Sequence, residues 1–299
     1  MEIQKTKNMS IVDSAYVNIS HVSYILNRLY QISEVATNWY DLILFGLGIK
    51  KEIYLVTKDR TKVKISTWDD YNKFLANHFM FGDKKFVISR NVIQLKYKNK
   101  KLKFYFDNFA HKYSTFYALN ENFMNGQYKW LKVRNNTVID VGGFVGDTAI
   151  YFILNGAEKV FALEPDPNLY KTAKKNIKVN HLKNKIKLLS TACVGNKKSN
   201  SGKGLSIKEI VEKFGLNNAI LKMDCEGCEY DSILNTDPDL LHKAFKQIII
   251  EYHYGYINLK NHLIKSGFKV ECTRPKKVTN FDSHENLYVG LLYAKKAST

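Results

Sequence analysis

Residues 138–148 read VIDVGGFVGDT: a short β-branched strand runs through Asp140, turns at Gly142, Gly143 and Gly146, and enters a helix near Asp147. Glycine is required where the backbone takes a positive φ or where a ligand approaches too closely for a Cβ. In a doubly wound sheet the first turn of this kind lies at the carboxyl ends of the strands, where ligands bind. Downstream, residues 159–163, 185–192, 219–223 and 247–250 are further short strands rich in β-branched residues. Between them, residues 147–155, 166–180, 206–214 and 229–235 carry apolar positions at helical spacing. Strands this apolar, separated by helices, predict a parallel sheet covered on both faces. Two last strands, 268–272 and 287–294, follow a helix over 256–266 and predict an antiparallel pair closing the sheet. The fold expected is α/β, with a doubly wound, mostly parallel sheet of seven strands.

A nicotinamide or flavin dinucleotide would require G-x-G-x-x-G in this turn. Started at Gly142, that pattern meets Phe144 and Asp147; started at Gly143, it meets Val145 and Thr148, so both registers fail. Asp140 and Asp147 flank the turn and suit a ligand with a cationic part better than a pyrophosphate. The second strand is followed by Glu164, positioned to accept hydrogen bonds from ribose hydroxyls, and then by Pro165, Asp166 and Pro167 at a helix start. An amino acid ammonium, a ribose and a glycine turn together point to S-adenosylmethionine (SAM).

VIDVGGFVGDT resembles motif I of the class I SAM-dependent methyltransferases, whose fold is Rossmann-like, and Glu164 matches their ribose-binding acid. Residues 221–234, LKMDCEGCEYDSIL, resemble the K-x-D-x-E-G-x-E signature of the FkbM-type family, and IIIEYH at 248–253 is similar to the segment that follows it there. The resemblance covers roughly residues 128–253. It implies SAM as cofactor, held by Asp140, Gly142, Gly143, Phe144, Gly146, Asp147, Glu164, Pro165 and Asp224. It also implies methyl transfer to an oxygen on a small molecule, sugar or lipid-linked glycan. Cys225 and Cys228 stand where the family commonly has small or apolar residues.

Asp224, Glu226 and Glu229 put three carboxylates in six residues, which is costly unless they meet cations, donors or solvent. Asp224, ending a central strand, is expected near the reactive methyl, and Glu226 along the acceptor pocket. Glu229 reads either as part of the site or as a first-turn carboxylate on its helix dipole. Glu251 and His253, two apart, point to one face. His253 is a candidate general base, or simply a hydrogen-bonded residue. Asp224 with Glu251 could form an oxygen pair for Mg²⁺, though a metal is not the favoured reading. A zinc site at Cys225 and Cys228 lacks a second ligand pair at the usual spacing, so buried packing cysteines are expected.

The 299 residues suggest about two domains: an N-terminal accessory α+β region over 1–127 and the methyltransferase domain over 128–299. Within the first, residues 21–32 read as an amphipathic helix, 39–48 as a helical or buried run, and 94–106 as a hairpin turning at Asn99-Lys100. One hairpin face is apolar; the other carries lysines, as a solvated edge guard or an anion-attracting patch. Apolar residues at 45% and charged residues at 25% exclude disorder, and no apolar stretch approaches the ~20 residues of a membrane span. With no secretory signal and four Cys, a soluble cytoplasmic protein without a disulfide framework is expected. The net charge of +18 admits RNA as a partner, but the lysines are spread along the chain and Arg is rare, which disfavours it. Oligomeric state stays open.

Overall fold

A computed structural model of the chain describes residues 26–297 apart from 27–28, 31, 35, 59, 68–69, 72–73, 75–85, 90, 108, 196–203 and 280–285. Its first part contains α1 (Asp41–Gly46), the antiparallel pair β1 (Ile53–Val56) and β2 (Lys62–Ile65), and a three-stranded antiparallel sheet of β3 (Phe86–Ser89), β4 (Val92–Tyr97) and β5 (Lys100–Tyr105). Helix α2 (Phe109–Leu119) runs straight into a π turn (Asn120–Asn125). There follow β6 (Thr137–Val141), α3 (Asp147–Leu154), β7 (Lys159–Leu163), α4 (Pro167–Val179) and β8 (Ile186–Leu189). A two-stranded parallel pair, β9 (Ala192–Val194) and β10 (Gly204–Ser206), leads into α5 (Ile207–Phe214) and β11 (Ala219–Met223). The chain ends with α6 (Cys228–Leu234), α7 (Pro238–Ala244), β12 (Phe245–Tyr252), α8 (Ile257–Lys265), β13 (Phe268–Cys272), β14 (Lys276–Thr279) and β15 (Asn286–Lys296).

The main sheet has the order β13-β15-β12-β11-β6-β7-β8, with β14 added along β15. Strands β12, β11, β6, β7 and β8 are mutually parallel, and β15 is antiparallel to both its neighbours. The mostly parallel sheet is as expected, but it has eight strands rather than seven, because β14 also pairs with β15, and the closing pair is antiparallel with β15 inserted inside β13. Strand order reverses between β6 and β11, and a doubly wound sheet opens a ligand crevice at such a point.

Alternate residues of the central strands feed two separate cores. Val138, Val160, Ala162, Ile220 and Ile249 pack with β3–β5, α2 and α3. Ile139, Val141, Phe161, Leu221, Met223, Ile248 and Ile250 pack with α5 through α8 on the other face. That period of two, with both faces apolar, is why the strands read as continuous hydrophobic runs. The β3–β5 sheet thus shares its core with the parallel sheet, whereas Ile32, Ala36, Leu42, Ile53, Leu55, Ile65 and Phe74 form a cluster of their own.

Helix starts follow local chemistry. Asp166 accepts from the N–H groups of Asn168 and Leu169 with Pro167 opening α4, and Ser206 with Glu209 forms a capping box on α5. Three expectations need correction or lie elsewhere. The hairpin turns one residue earlier, at Lys98-Asn99, because both take positive φ (44° and 64°) and Tyr97 pairs with Lys100. The strand expected over 185–192 is two strands, β8 and β9, broken at Ser190-Thr191. The helix expected over 21–32 falls largely outside the described residues, and Leu26 within it is exposed. Among the described residues no helix is long and apolar enough to cross a membrane.

Candidate active site

At the β6–β11 crevice the glycine turn is clamped from both sides. The N–H groups of Gly142 and Gly143 donate to Leu163 O at 3.1 and 2.8 Å, which ties the turn to the end of β7. Gly142 has φ +78°, and a Cβ there would collide with the backbone carbonyl of Asp224 at the end of β11. That glycine is needed for strand-to-strand approach as well as for the turn. Gly146, at φ +81°, forms the N-cap of α3. Phe144, also at positive φ (43°), donates its N–H to Glu164 Oε2 at 2.8 Å.

Glu164 is buried and accepts a second N–H, from Asp166, at 2.9 Å on Oε1. Burial raises its pKa, and the two backbone donors hold that rise back. Both oxygens are oriented by backbone at the carboxyl end of β7, beside the turn. Pro165 is exposed just outside it.

A buried ion pair lies beneath the turn. Lys222, in register with Asp140 on the neighbouring strand, places Nζ 3.1 Å from Asp140 Oδ1. The same Nζ donates to Gly142 O at 2.7 Å and Val141 O at 3.2 Å, so two hydrogen bonds and one ion pair hold the ammonium. Thr148 donates to Asp140 Oδ2 at 2.6 Å. Burial works to lower the Lys222 pKa, but Asp140 and Asp224 outweigh it and the group stays charged. Asp140, fully buried, thus meets its counter-charge inside the protein. The sequence reading had not assigned Lys222 a role. Its signal was a lysine flanked by apolar residues in a central strand, which is rare unless paired.

Asp147, also buried, accepts from Asn122 Nδ2 at 2.6 Å, and its Oδ1 has no hydrogen-bond partner. Burial pushes its pKa up to about 7. Asn122 comes from the π turn, where nothing in the sequence had marked it.

Around Asp224 the structure gathers Glu226, Glu229, Glu251 and His253. Asp224 is partly exposed, and Tyr128 O–H reaches its Oδ2 at 3.4 Å. Gln127 Nε2 donates to Glu251 Oε2 at 2.6 Å and approaches the Tyr128 hydroxyl at 3.4 Å, linking Glu251 to Asp224 through two side chains. Burial, then the charge of Asp224, raises Glu251 to about 8. Glu229 is fully buried at the start of α6 and accepts the N–H groups of Cys225 and Gly227, each at 2.8 Å. It is the fastener of the 224–228 loop.

His253 is buried with Nδ1 3.2 Å from Glu229, and Nε2 3.5 Å from Glu226 and 3.9 Å from Asp224. Burial opposes protonation, yet the three carboxylates raise its pKa to about 9. The imidazole therefore holds its proton at neutral pH. Glu226, by contrast, projects into solvent with its backbone at φ +58°. Asp224, Glu229 and His253 each bring one ligand atom within 4.8 Å of the others, a cluster that could hold a cation only with His253 deprotonated.

The expectation of packing cysteines is corrected here: Cys225 and Cys228 are joined by a disulfide. The positive φ of Glu226 and Gly227 (58° and 116°) reverses the chain and brings the two Cα atoms to 5.5 Å, within bridging distance. Cys193 and Cys272 are not disulfide-bonded.

No family model matches the chain. It is 46% identical over 52 residues to the ribosomal protein L11 methyltransferase of Carboxydothermus hydrogenoformans, a stretch covering 17% of each protein. It is 30% identical over 133 residues to an uncharacterized protein, 158B, of Sulfolobus islandicus rod-shaped virus 1, covering 42% of this chain and 66% of that one. Both matches thus span less than two thirds of the relative's length. Similar solved structures include a SAM-dependent methyltransferase from Agrobacterium tumefaciens, at 11% identity, 71% and 72% coverage and a TM-score of 0.43. Another is the precorrin-6y C5,15-methyltransferase of Geobacter metallireducens, at 15% identity, covering 62% of this chain and 89% of that one with a TM-score of 0.37.

Proposed function

We propose that the protein is a SAM-dependent methyltransferase of the FkbM type that methylates a hydroxyl oxygen on a small molecule, sugar or lipid-linked glycan. One observation carries this reading. Glu164 and Asp224 stand at the carboxyl ends of β7 and β11, on either side of the glycine turn at the sheet's reversal point. The short stretch shared with a ribosomal protein methyltransferase supports it. Residues 128–299 serve as the transferase region, and the accessory region over 1–127 lends Asn122 and Gln127 to the site.

In this reading Glu164 accepts the ribose hydroxyls, and Gly143 and Phe144 leave room for the nucleoside. The buried Lys222–Asp140 pair holds the turn rigid. The remaining negative charge of Asp224 and Glu226 receives a cationic cofactor. SAM supplies an electrophilic methyl on a sulfonium. With SAM bound, that methyl would be open to in-line displacement by the acceptor oxygen, with the carbon–sulfur bond breaking as the carbon–oxygen bond forms. The chain's task is alignment and exclusion of water.

The acceptor's proton goes to the Asp224 carboxylate, which is partly exposed at the crevice and receives the Tyr128 hydroxyl. Glu251, pushed up to about 8, holds its own proton at neutral pH and anchors Gln127 beside Tyr128. His253, already protonated, orients Asp224 and Glu226 rather than acting as the base.

The test uses methyl-labelled SAM with a panel of sugars and hydroxylated small molecules. Asp224→Asn is expected to lower turnover by at least about 10²-fold at saturating SAM, with SAM affinity also weakened. Turnover at the wild-type rate in that variant refutes the assignment.

A further inference from the structure

Helix α4 and strand β5 enclose a groove of about 890 Å³ on the flank of the molecule. Its walls carry Lys100, Lys101 and Lys103 from the hairpin, and Lys175, Lys178 and His181 from α4 and its exit. No carboxylate lines it, and among the described residues none of these five lysines makes an ion pair. In the sequence, lysines about 75 positions apart belonged to separate solvated faces. The fold brings them to one recess.

The walls are fixed relative to each other. Asn180 accepts from Lys103 N at 3.0 Å and donates to Lys103 O at 2.8 Å. One helical turn earlier, Asn176 accepts from Tyr105 N at 2.7 Å and donates to Tyr105 O at 3.3 Å. Two asparagines at i and i+4 thereby satisfy the open edge of β5 and hold its lysines opposite those of α4. Convergent cations on a rigid frame repel one another, a cost that an anionic ligand relieves.

We propose that this groove docks the phosphate backbone of single-stranded RNA. The recess is concave, so a planar lipid surface reaches only its rim, and a duplex presents its phosphates on a broad convex cylinder. A single strand lies along it and meets several phosphates in succession. The tyrosine ring there, Tyr105, is covered by Lys175 Nζ at 3.5 Å, His181 is the other ring on the wall, and no Arg contributes a bidentate fork. Recognition is therefore independent of base sequence. Along α4 the groove begins at Lys175, about 14 Å past Asp166 at 1.5 Å per residue; Asn176 ties its wall to Val145 O of the glycine turn at 3.0 Å, so the groove and the turn share a frame but no lining residue.

The test is fluorescence anisotropy with a labelled single-stranded RNA of mixed sequence, using the full chain. Five phosphate contacts give a slope of log K against log salt of about −3.5, a loss of roughly 10²-fold in affinity between 50 and 200 mM salt. Lys101→Glu with Lys178→Glu should abolish most binding and reduce the slope by about 1.4, with calorimetric SAM affinity unchanged. Lys265→Glu with Lys269→Glu, an equal charge change on the side of the molecule near β13, should leave RNA affinity within about threefold. The proposal is overturned by absence of RNA binding at 50 mM salt, by equal losses in both double variants, or by tighter binding of duplex DNA. SAM affinity is read separately, so failure here is distinguishable from failure of the methyltransferase reading.

Discussion

Replacing Lys222 with Met tests the electrostatic frame of the glycine turn. Methionine keeps much of the side-chain volume but removes a donor that serves Asp140, Val141 O and Gly142 O at 3.1, 3.2 and 2.7 Å. Asp140 is 0% exposed and keeps only the Thr148 hydroxyl as a donor. Removing one member of a buried pair typically costs about 3–5 kcal/mol, because the other charge is left uncompensated. Asp140 can limit that loss by taking a proton, since burial already raises its pKa. We therefore expect about 4 kcal/mol at neutral pH, a drop in Tm on the order of 10 °C, and a smaller loss at acidic pH. Lys222→Met with Asp140→Leu should recover part of the stability, because two apolar residues replace a pair that is costly to desolvate. Urea unfolding followed by circular dichroism at two pH values measures all three. A loss under about 1 kcal/mol in the single variant, or no pH dependence of the loss, refutes the reasoning.

Stability should fall as pH rises from about 5 to about 9. Asp147 near 7, Glu251 near 8 and His253 near 9 all bind protons more tightly folded than unfolded, so the native state holds the excess protons across that window. The His253 contribution is present below its ordinary value of 6.5 and is lost through about 9, so His253→Gln should flatten the upper part of the Tm profile; a Tm that rises with pH contradicts this. Thiol titration of the denatured, unreduced protein should find two thiols, Cys193 and Cys272, and four after reduction; four without reductant would rule out the Cys225–Cys228 bridge. Asn176→Ala removes bonds to both Tyr105 backbone groups and to Val145 O, and should cost about 2–3 kcal/mol in urea unfolding. An unchanged midpoint would mean that α4 does not secure the edge of β5.

The parallel sheet was legible because its strands are buried on both faces and its helices announce themselves with Asp166-Pro167 and Ser206…Glu209. The glycine turn and the acids after β7 and β11 were legible for the same reason: the chain enters and leaves the crevice within a few residues of each. What the sequence hid depended on contacts between distant segments. Asn122 reaches Asp147 from 25 residues away, and Gln127 reaches Glu251 from 124 away, neither with any local pattern. Lys222 looked like one residue of a motif, and only the strand register sets it opposite Asp140. His253 suggested a base from its ordinary pKa, while its three carboxylate neighbours shift it to about 9. The hairpin turn slipped by one because Lys98 gave no sign of adopting positive φ, a conformation usually supplied by Gly or Asn.

The central claim is a SAM site between β6 and β11 in which Glu164 holds the ribose. Calorimetric titration of the purified protein with SAM and with S-adenosylhomocysteine, repeated on Glu164→Ala, tests it most directly. The account predicts micromolar binding of both ligands to the natural chain and loss of both in the variant. Absence of binding to the natural chain, or equal affinity in Glu164→Ala, would contradict it.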